Sequence, residues 1–382
     1  MQVPFSALNK QHEAILPELM NSIENILRSG NFILGKVVEE FEEKFATFHQ
    51  KKYAIGVASG TDALILALKA LDIGKGDEVI TTANTFITTV SSIVVVGAKP
   101  ILIDIGNDDN IDVEKIEEKI TKKTKAILPV HWTGRPCDMD KICSLAQQYN
   151  LTIIEDCAQA IAAKYKQQLV GTFGELGCFS LHPFKTLNAC GDAGIIITDN
   201  VELADKIRAL RQYGLSKQGY CEYWNNTSRL DSLQAAILNI KFKYFEDWTK
   251  RRVEIASYYS KHLKDITEIV LPAVADENYS SVFHTYIIKA QNREALREHL
   301  KSKGIETRIH YEVSIHKHPI AVKSLEYTEH DLNNINRIAK QVLSLPIYSE
   351  LEEQHLDYII EQIKSFYDSQ RVNTQCESLI HI

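Results

Sequence analysis

Between residues 50 and 200 short β-rich runs alternate with segments of helical period, and few folds accommodate such a chain. Run 53–57 precedes apolar helix pattern 60–71, run 78–81 precedes 88–96, and run 100–104 precedes 113–120. Runs 126–130, 151–154 and 194–198 continue the series around a helix at 138–149. The strand runs are nearly continuous in apolar residues, as strands are when both sheet faces are covered. The expectation is an α/β fold whose large, mostly parallel sheet carries helices on both faces. Ligands then belong at the carboxyl ends of its strands. After Trp248 the texture changes to helix patterns at 251–263 and 293–303 flanking an alternating strand at 282–288, which reads as a smaller α+β domain. We expect an N-terminal arm and large domain over 1–248, a small C-terminal domain over 249–368, and a polar, frayed tail over 369–382.

Composition excludes several function classes. The net charge of -7 comes from acids and bases mixed along 382 residues, with no basic block to track a nucleic-acid backbone. The start, Met1-Gln-Val-Pro-Phe-Ser-Ala-Leu, lacks a charged region followed by an apolar stretch, and the apolar runs are too short to span a bilayer. A cytoplasmic protein without a membrane partner is expected. The seven cysteines are scattered without zinc or Cys-x-x-Cys spacing, so buried reduced thiols are expected and no metal site.

The chemistry concentrates in two segments. Ile153-Ile-Glu-Asp-Cys-Ala-Gln159 ends a buried strand in a carboxylate, and Phe184-Lys-Thr186 places a lysine in a loop between strand-like 178–181 and Gly191-Asp-Ala-Gly194. A pyridoxal-phosphate site needs a lysine beside the cofactor's carbonyl carbon and a carboxylate facing its pyridine nitrogen. Lys185 and Asp156 have those properties, although a lone lysine in a turn is more often solvated and a lone aspartate more often a cap. Glu155 points to the opposite side of the strand. Gln159 is placed to bond a ring oxygen or to serve the structure. Gly56-Val-Ala-Ser-Gly-Thr-Asp62 follows a strand and opens a helix, so Gly60 and Thr61 suit a phosphate, while Ser59 or Thr61 equally suits a helix cap. Ser180 stands at a strand end where it too reaches a phosphate, and Phe86 lies where an aromatic face stacks on a planar cofactor. Arg229 and Asp231 read as an ion pair at a helix start.

Taken together, Val3-Pro-Phe5, Ser29-Gly-Asn-Phe-Ile-Leu-Gly35, Ala58-Ser-Gly-Thr-Asp-Ala63, Ala83-Asn-Thr-Phe86, Glu155-Asp-Cys-Ala-Gln159, Gly191-Asp-Ala-Gly194 and Ser228-Arg-Leu-Asp231 resemble the DegT/DnrJ/EryC1/StrS family of sugar aminotransferases. The resemblance runs from Val3 to about Phe366. It implies the aspartate-aminotransferase fold type I, with a seven-stranded-type large sheet. It implies that Lys185 bonds pyridoxal 5'-phosphate covalently, Asp156 pairs with the ring nitrogen, Gln159 meets the ring hydroxyl, Phe86 stacks, and Gly60, Thr61 and Ser180 hold the phosphate. It also implies a homodimer in which the segment before Ser-Arg-Leu-Asp, here Asn225, Asn226 and Thr227, reaches the partner's phosphate. Thr227 departs from the family's usual Asn, as do Thr186, Ala193 and Glu312 from its usual residues at those places.

The implied reaction moves an amino group from an amino acid, glutamate first, through pyridoxamine 5'-phosphate to a nucleotide-linked keto-sugar. Members of this kind serve deoxysugar, lipopolysaccharide or O-antigen biosynthesis. The start and the 29–35 run resemble members that aminate C3 of a dTDP-3-keto-6-deoxyhexose, with C4 amination of an NDP-4-keto-6-deoxysugar as the alternative. A pyridoxamine-dependent sugar dehydratase calls for histidine where Lys185 stands, and His182 does not occupy that slot. A non-catalytic cofactor-binding regulator carries an appended DNA-binding module that is not seen here. A nicotinamide enzyme calls for a Gly-x-Gly-x-x-Gly turn that 56–62 lacks.

Overall fold

The computed structural model describes residues 1–273, 276–327 and 329–380. Strands β1 (Tyr53–Val57), β2 (Glu78–Thr82), β3 (Lys99–Ile103), β4 (Thr124–Leu128) and β5 (Thr152–Asp156) are each five residues long. The two-residue β6 (Lys164–Tyr165) and β7 (Gln168–Leu169) follow, then β8 (Leu176–Ser180) and β9 (Gly194–Thr198). Seven of these form one sheet in the order β1-β9-β8-β5-β4-β2-β3. β9 runs antiparallel to β1 and β8, and the remaining pairings are parallel. Side chains of β9 show how both faces fill. Ile195 and Ile197 enter one core with Phe41, Phe45 and Leu238, whereas Ile196 enters another with Leu64, Leu68 and Ile207.

Helices α1 (Leu8–Ser29) and α2 (Lys36–Phe48) precede the sheet. α3 (Gly60–Ala70), α4 (Ile87–Val95), α5 (Met139–Tyr149) and α6 (Val201–Leu210) connect its strands. α1 lay outside the sequence reading because its buried side is narrow, with only Gln11, Ile15 and Leu19 enclosed, and because Pro17 interrupts the pattern. Its end was visible as the 29–35 motif. Gly30 at φ 70° stops α1 and Gly35 at φ 82° starts α2, a left-handed conformation that favours glycine. The helix expected at 113–120 is two separate 3-10 turns, Val113–Lys115 and Glu117–Lys119. The first starts at the Asp112 cap, whose side chain accepts from the Glu114 amide, and ends at Ile116, too short a stretch to propagate.

α7 (Ser232–Lys241) and α8 (Phe245–Leu263) lead into the C-terminal part. There β10 (Ile269–Val270), β12 (Tyr286–Ala290) and β13 (Val342–Leu345) form a three-stranded sheet, while β11 (Tyr279–Ser280) pairs back onto β6. α9 (Arg293–Ser302), α10 (Pro319–Ser324), α11 (Asn333–Ile338) and α12 (Glu353–Ile380) complete it. α8 contributes Phe245 to a core of the large sheet and Ile255, Tyr259 and Leu263 to the C-terminal core. The N-terminal arm joins that second core. Val3 bridges Ile305, and Ala7 packs with Tyr259 and Leu300. The end expected to fray is helical to Ile380, and Arg371 ties it back through two bonds to Glu268 of 2.7 and 2.6 Å. Residues 381–382 lie outside the described residues.

Of the cysteines, Cys137, Cys157 and Cys178 are buried as expected, whereas Cys190 and Cys221 are exposed. No helix among the described residues is long and apolar enough to cross a membrane.

One buried group gives the fold a measurable acid sensitivity. His49 closes α2 with its ring against Phe45 at 4.4 Å and Phe179 at 4.8 Å. Its Nδ1 donates to the Phe45 carbonyl, which leaves Nε2 buried without a partner. Burial pushes its pKa down to about 4 from 6.5. Between those values the unfolded chain binds a proton that the folded chain refuses, so stability rises with pH and is lost as pH falls through the window. A His49→Phe variant removes that term. In denaturant titrations near pH 7 and near pH 5, wild type loses about 2 kcal/mol more than the variant over that step. Equal losses in both exclude His49 as the cause.

Candidate active site

Four strands deliver side chains to one edge of the sheet, around a cavity of ≈ 300 Å³. β1 leads through Ser59 into Gly60 and Thr61 at the start of α3. Ser59 is the cap, since its Oγ accepts from the Asp62 amide at 3.0 Å. The first amides of α3 therefore point outward with the positive end of the helix dipole behind them. This loop comes very close to the next strands. A Cβ on Gly60 would lie 2.6 Å from Cβ of Ser180, and one on Gly194 2.3 Å from the Ser59 carbonyl oxygen. Gly60, Thr61 and Ser180 thus meet at one end of the cavity.

β5 ends in Asp156, which is 4 % exposed. Its Oδ1 accepts from the Ala158 amide at 3.0 Å and its Oδ2 from Thr89 Oγ1 at 2.8 Å. Thr89 in turn lies 2.7 Å from Thr85 Oγ1. The single Thr89 hydroxyl proton goes to the carboxylate, so Thr85 is the donor in that pair. Burial raises the Asp156 pKa, opposed by the Ala158 and Thr89 bonds and then by the Lys185 and His131 charges. No ion pair reaches Asp156 among the described residues. A desolvated carboxylate of this kind calls for a cation, and a protonated ring nitrogen supplies one.

Lys185 follows β8, held by its own amide on the His182 carbonyl at 2.8 Å and by Asn188 Nδ2 on its carbonyl at 3.1 Å. Burial lowers its pKa to about 8, against the raising effect of Asp156. An amine so placed is neutral often enough near pH 7 to act as a nucleophile and a base. Phe86 caps α4, half-exposed, with its ring 5.4 Å from that of Tyr311. Gln159 Oε1 accepts from the Thr133 amide at 2.7 Å, so its donor, Nε2, turns toward the Tyr311 hydroxyl at 3.5 Å.

The structure therefore gathers Gly60, Thr61, Phe86, Asp156, Gln159, Ser180 and Lys185 around one cavity. Asn226 and Thr227 are not among them. They sit on an exposed segment where the Asn226 carbonyl accepts from Tyr213 and Thr227 bridges Gln212. The expected Arg229–Asp231 ion pair does not form among the described residues. Arg229 instead lies over the Tyr213 ring at 5.3 Å, and Asp231 starts α7 without a side-chain cap bond. Three cavity residues have no role of their own in the sequence, although the resemblance implies that the 310–316 loop shapes the sugar-nucleotide pocket. His284, His310 and Tyr311 come from the C-terminal part and carry no motif of their own. Thr89, in the first turn of α4, was missed as well.

Glu155, on the opposite face of β5, serves the structure. It accepts amides of Gly171, Phe173 and Gly174 and meets His131 Nε2 at 3.0 Å. His131 Nδ1 accepts from the Cys137 amide, so its proton is on Nε2 and donates to Glu155. Although His131, Glu155 and Cys157 lie close enough to hold a metal ion, this bonding leaves the histidine no lone pair to give.

Comparison with known proteins agrees with this geometry. The sequence profile of the DegT/DnrJ/EryC1/StrS aminotransferase family matches residues 13–364. A "Pleiotropic regulatory protein" of Geobacillus stearothermophilus is 42% identical over 96% of this chain and 99% of its own. The dTDP-3-amino-3,6-dideoxy-alpha-D-galactopyranose transaminase of Aneurinibacillus thermoaerophilus is 41% identical over 95% and 99%. The crystal structure of DesV from S. venezuelae, in complex with a ketimine intermediate, superposes with a TM-score of 0.93 at 37% identity, covering 96% of this chain and 98% of that one.

Proposed function

The chain belongs to the DegT/DnrJ/EryC1/StrS aminotransferase family, whose members depend on pyridoxal 5'-phosphate, and from that we propose that it transfers an amino group from glutamate to C3 of a dTDP-linked 3-keto-6-deoxyhexose. The observation that carries this reading is Lys185, its pKa lowered to about 8, opening on the same cavity as the buried Asp156, which has no ion pair among the described residues. The C3 assignment draws on the Aneurinibacillus relative, a dTDP-3-amino-sugar transaminase, and amination at C4 is its competitor.

In this reading the cofactor, when bound, supplies the electron sink that lets a carbon-bound proton leave. Asp156 holds the ring nitrogen protonated, and the Thr85–Thr89 relay fixes the orientation of its carboxylate. The outward amides of α3, with Thr61 and Ser180, take the phosphate. Phe86 would cover the ring, and Gln159 Nε2, now turned toward the Tyr311 hydroxyl, would donate to its hydroxyl oxygen. Lys185 Nζ would hold the cofactor covalently and, when free, would carry the proton that leaves the donor's α carbon. It repeats the transfer in the opposite direction for the sugar. Two copies share each site in the same proposal, with Asn226 and Thr227 reaching the partner's phosphate. The exposure of that segment supports this, Trp224 being 94 % and Tyr220 74 % exposed. A cofactor-binding domain through residue 248 and a smaller one over 249–368 belong to this reading, supported by the separate cores on either side of α8.

The test is an absorbance spectrum of the purified protein before and after glutamate, borohydride reduction with peptide mapping, and then a panel of dTDP-3-keto and dTDP-4-keto sugars. A glutamate-dependent spectral change, a pyridoxyl label on Lys185 and turnover of the 3-keto sugar are expected. Turnover of the 4-keto sugar alone moves the assignment to C4. The name of the Geobacillus relative favours a second reading, a regulator that binds cofactor without turnover. A label on Lys185 with no sugar accepted would select it.

A further inference from the structure

Lys185 does not close the cavity. A second chamber of ≈ 370 Å³ begins on its other side, and Phe184, Lys185, His284 and His310 line both. The residues that face the cofactor in the proposed function, Gly60, Thr61, Phe86, Asp156 and Gln159, are absent from the second chamber's wall. Its wall comes instead from the N-terminal arm at Phe5, from α8 at Trp248 and Arg252, and from Arg308 and Tyr348 of the C-terminal part. A transaminase must present two chemically different substrates to one reacting atom, so their distal parts need different surroundings.

The distinctive groups of this chamber are two guanidiniums. Arg252 donates through Nε to the Phe283 carbonyl at 3.1 Å and through Nη2 to the His284 carbonyl at 2.6 Å, which fixes its plane. Burial lowers its pKa to about 10, opposed by the Glu350 charge. Arg308 stands over the Phe5 ring at 5.9 Å. Among the described residues no ion pair engages either of them. The two carboxylates of the chamber have other bonds, Glu306 with the Phe5 amide at 3.0 Å and Glu350 with the Ser349 hydroxyl at 2.7 Å. Arg252 is half-buried and already oriented by two carbonyls, and Arg308 is exposed, so both guanidiniums keep donors free for an anion.

We propose that this chamber is the subsite for the amino-acid donor, in which Arg252 and Arg308 hold the distal carboxylate of a dicarboxylic amino acid whose amine faces the first cavity. The assignment rests on the aminotransferase reading above and names the groups that select its donor. A planar guanidinium takes a carboxylate through paired bonds, which a neutral side chain cannot reproduce. The Phe5 segment is then part of donor recognition.

Glutarate, a dicarboxylate without an amine, is the probe. It is titrated calorimetrically into the cofactor-loaded protein and its Arg308→Gln and Arg252→Lys variants, with melting temperature and the Lys185 label measured alongside. Arg308→Gln is expected to weaken glutarate by about ten-fold to a hundred-fold. It should raise KM for glutamate more than it lowers kcat, and leave the label and the melting temperature unchanged. Arg252→Lys keeps the charge and loses the fixed plane, so it should weaken glutarate while still folding. Unchanged glutarate affinity in both variants, or no glutarate binding to a protein that glutamate still converts, overturns the subsite and leaves the aminotransferase reading intact. Absence of the Lys185 label in wild type overturns that reading instead.

Discussion

A Lys185→Ala variant folds, binds the cofactor without bonding it, and loses transamination by at least ~10⁴-fold, since one amine serves as both covalent anchor and proton carrier. Folding is spared because Lys185 belongs to none of the hydrophobic clusters, and the two bonds that shape its loop use backbone atoms that alanine retains. The phosphate end of the cavity, at Gly60, Thr61 and Ser180, is untouched. Borohydride reduction followed by peptide mapping should then find no pyridoxyl peptide, while dialysis shows cofactor retained at reduced affinity. Rapid mixing with glutamate should show the half-reaction slowed to the extent stated. A variant that still turns over at a wild-type rate would place the proton carrier elsewhere.

Asp156→Asn separates charge from shape. The amide fills the same space and keeps the Ala158 and Thr89 contacts within reach, but it cannot hold a proton on the ring nitrogen. The expected loss is about 10²- to 10³-fold in the proton-transfer step, the range found when one electrostatic stabiliser is removed. The Lys185 label should survive, which distinguishes this variant from Lys185→Ala. Stability should move the other way. Because burial raises the folded pKa of Asp156, the group favours folding only while protonated, and that contribution is lost as pH rises past the folded value. Near neutral pH the cofactor-free Asp156→Asn variant should be at least as stable as wild type in denaturant. A clear loss of stability would show that the carboxylate is held by a charge the structure does not place beside it.

The parts of the site that were legible in the sequence are those whose chemistry sits within a few residues of a strand end. Asp156 closes β5, Lys185 follows β8 by five residues, and Gly60 follows β1 by three, so local pattern was enough to place them together. The sheet was legible for the same reason, since runs such as Ile195-Ile-Ile197 fill both faces and leave no amphipathic ambiguity. What escaped depends on contacts distant in sequence. His310 and Tyr311 reach the cavity from a segment without periodicity, more than a hundred residues after Lys185, and their position is set by how the C-terminal part lies against the sheet edge. The helical continuation past residue 368 was hidden because its anchor, Glu268, lies a hundred residues earlier in the chain.

The bridge between Val3 and Ile305 constrains the order of events during synthesis. Val3 leaves the ribosome about three hundred residues ahead of Ile305, and at about 5–20 residues per second its partner arrives roughly 15–60 s afterwards. The seven-stranded sheet, complete by Thr198, can assemble in that interval while Val3 waits unpaired. Removing Val3 and Ala7 would therefore leave a sheet already built beside a C-terminal core lacking one of its walls.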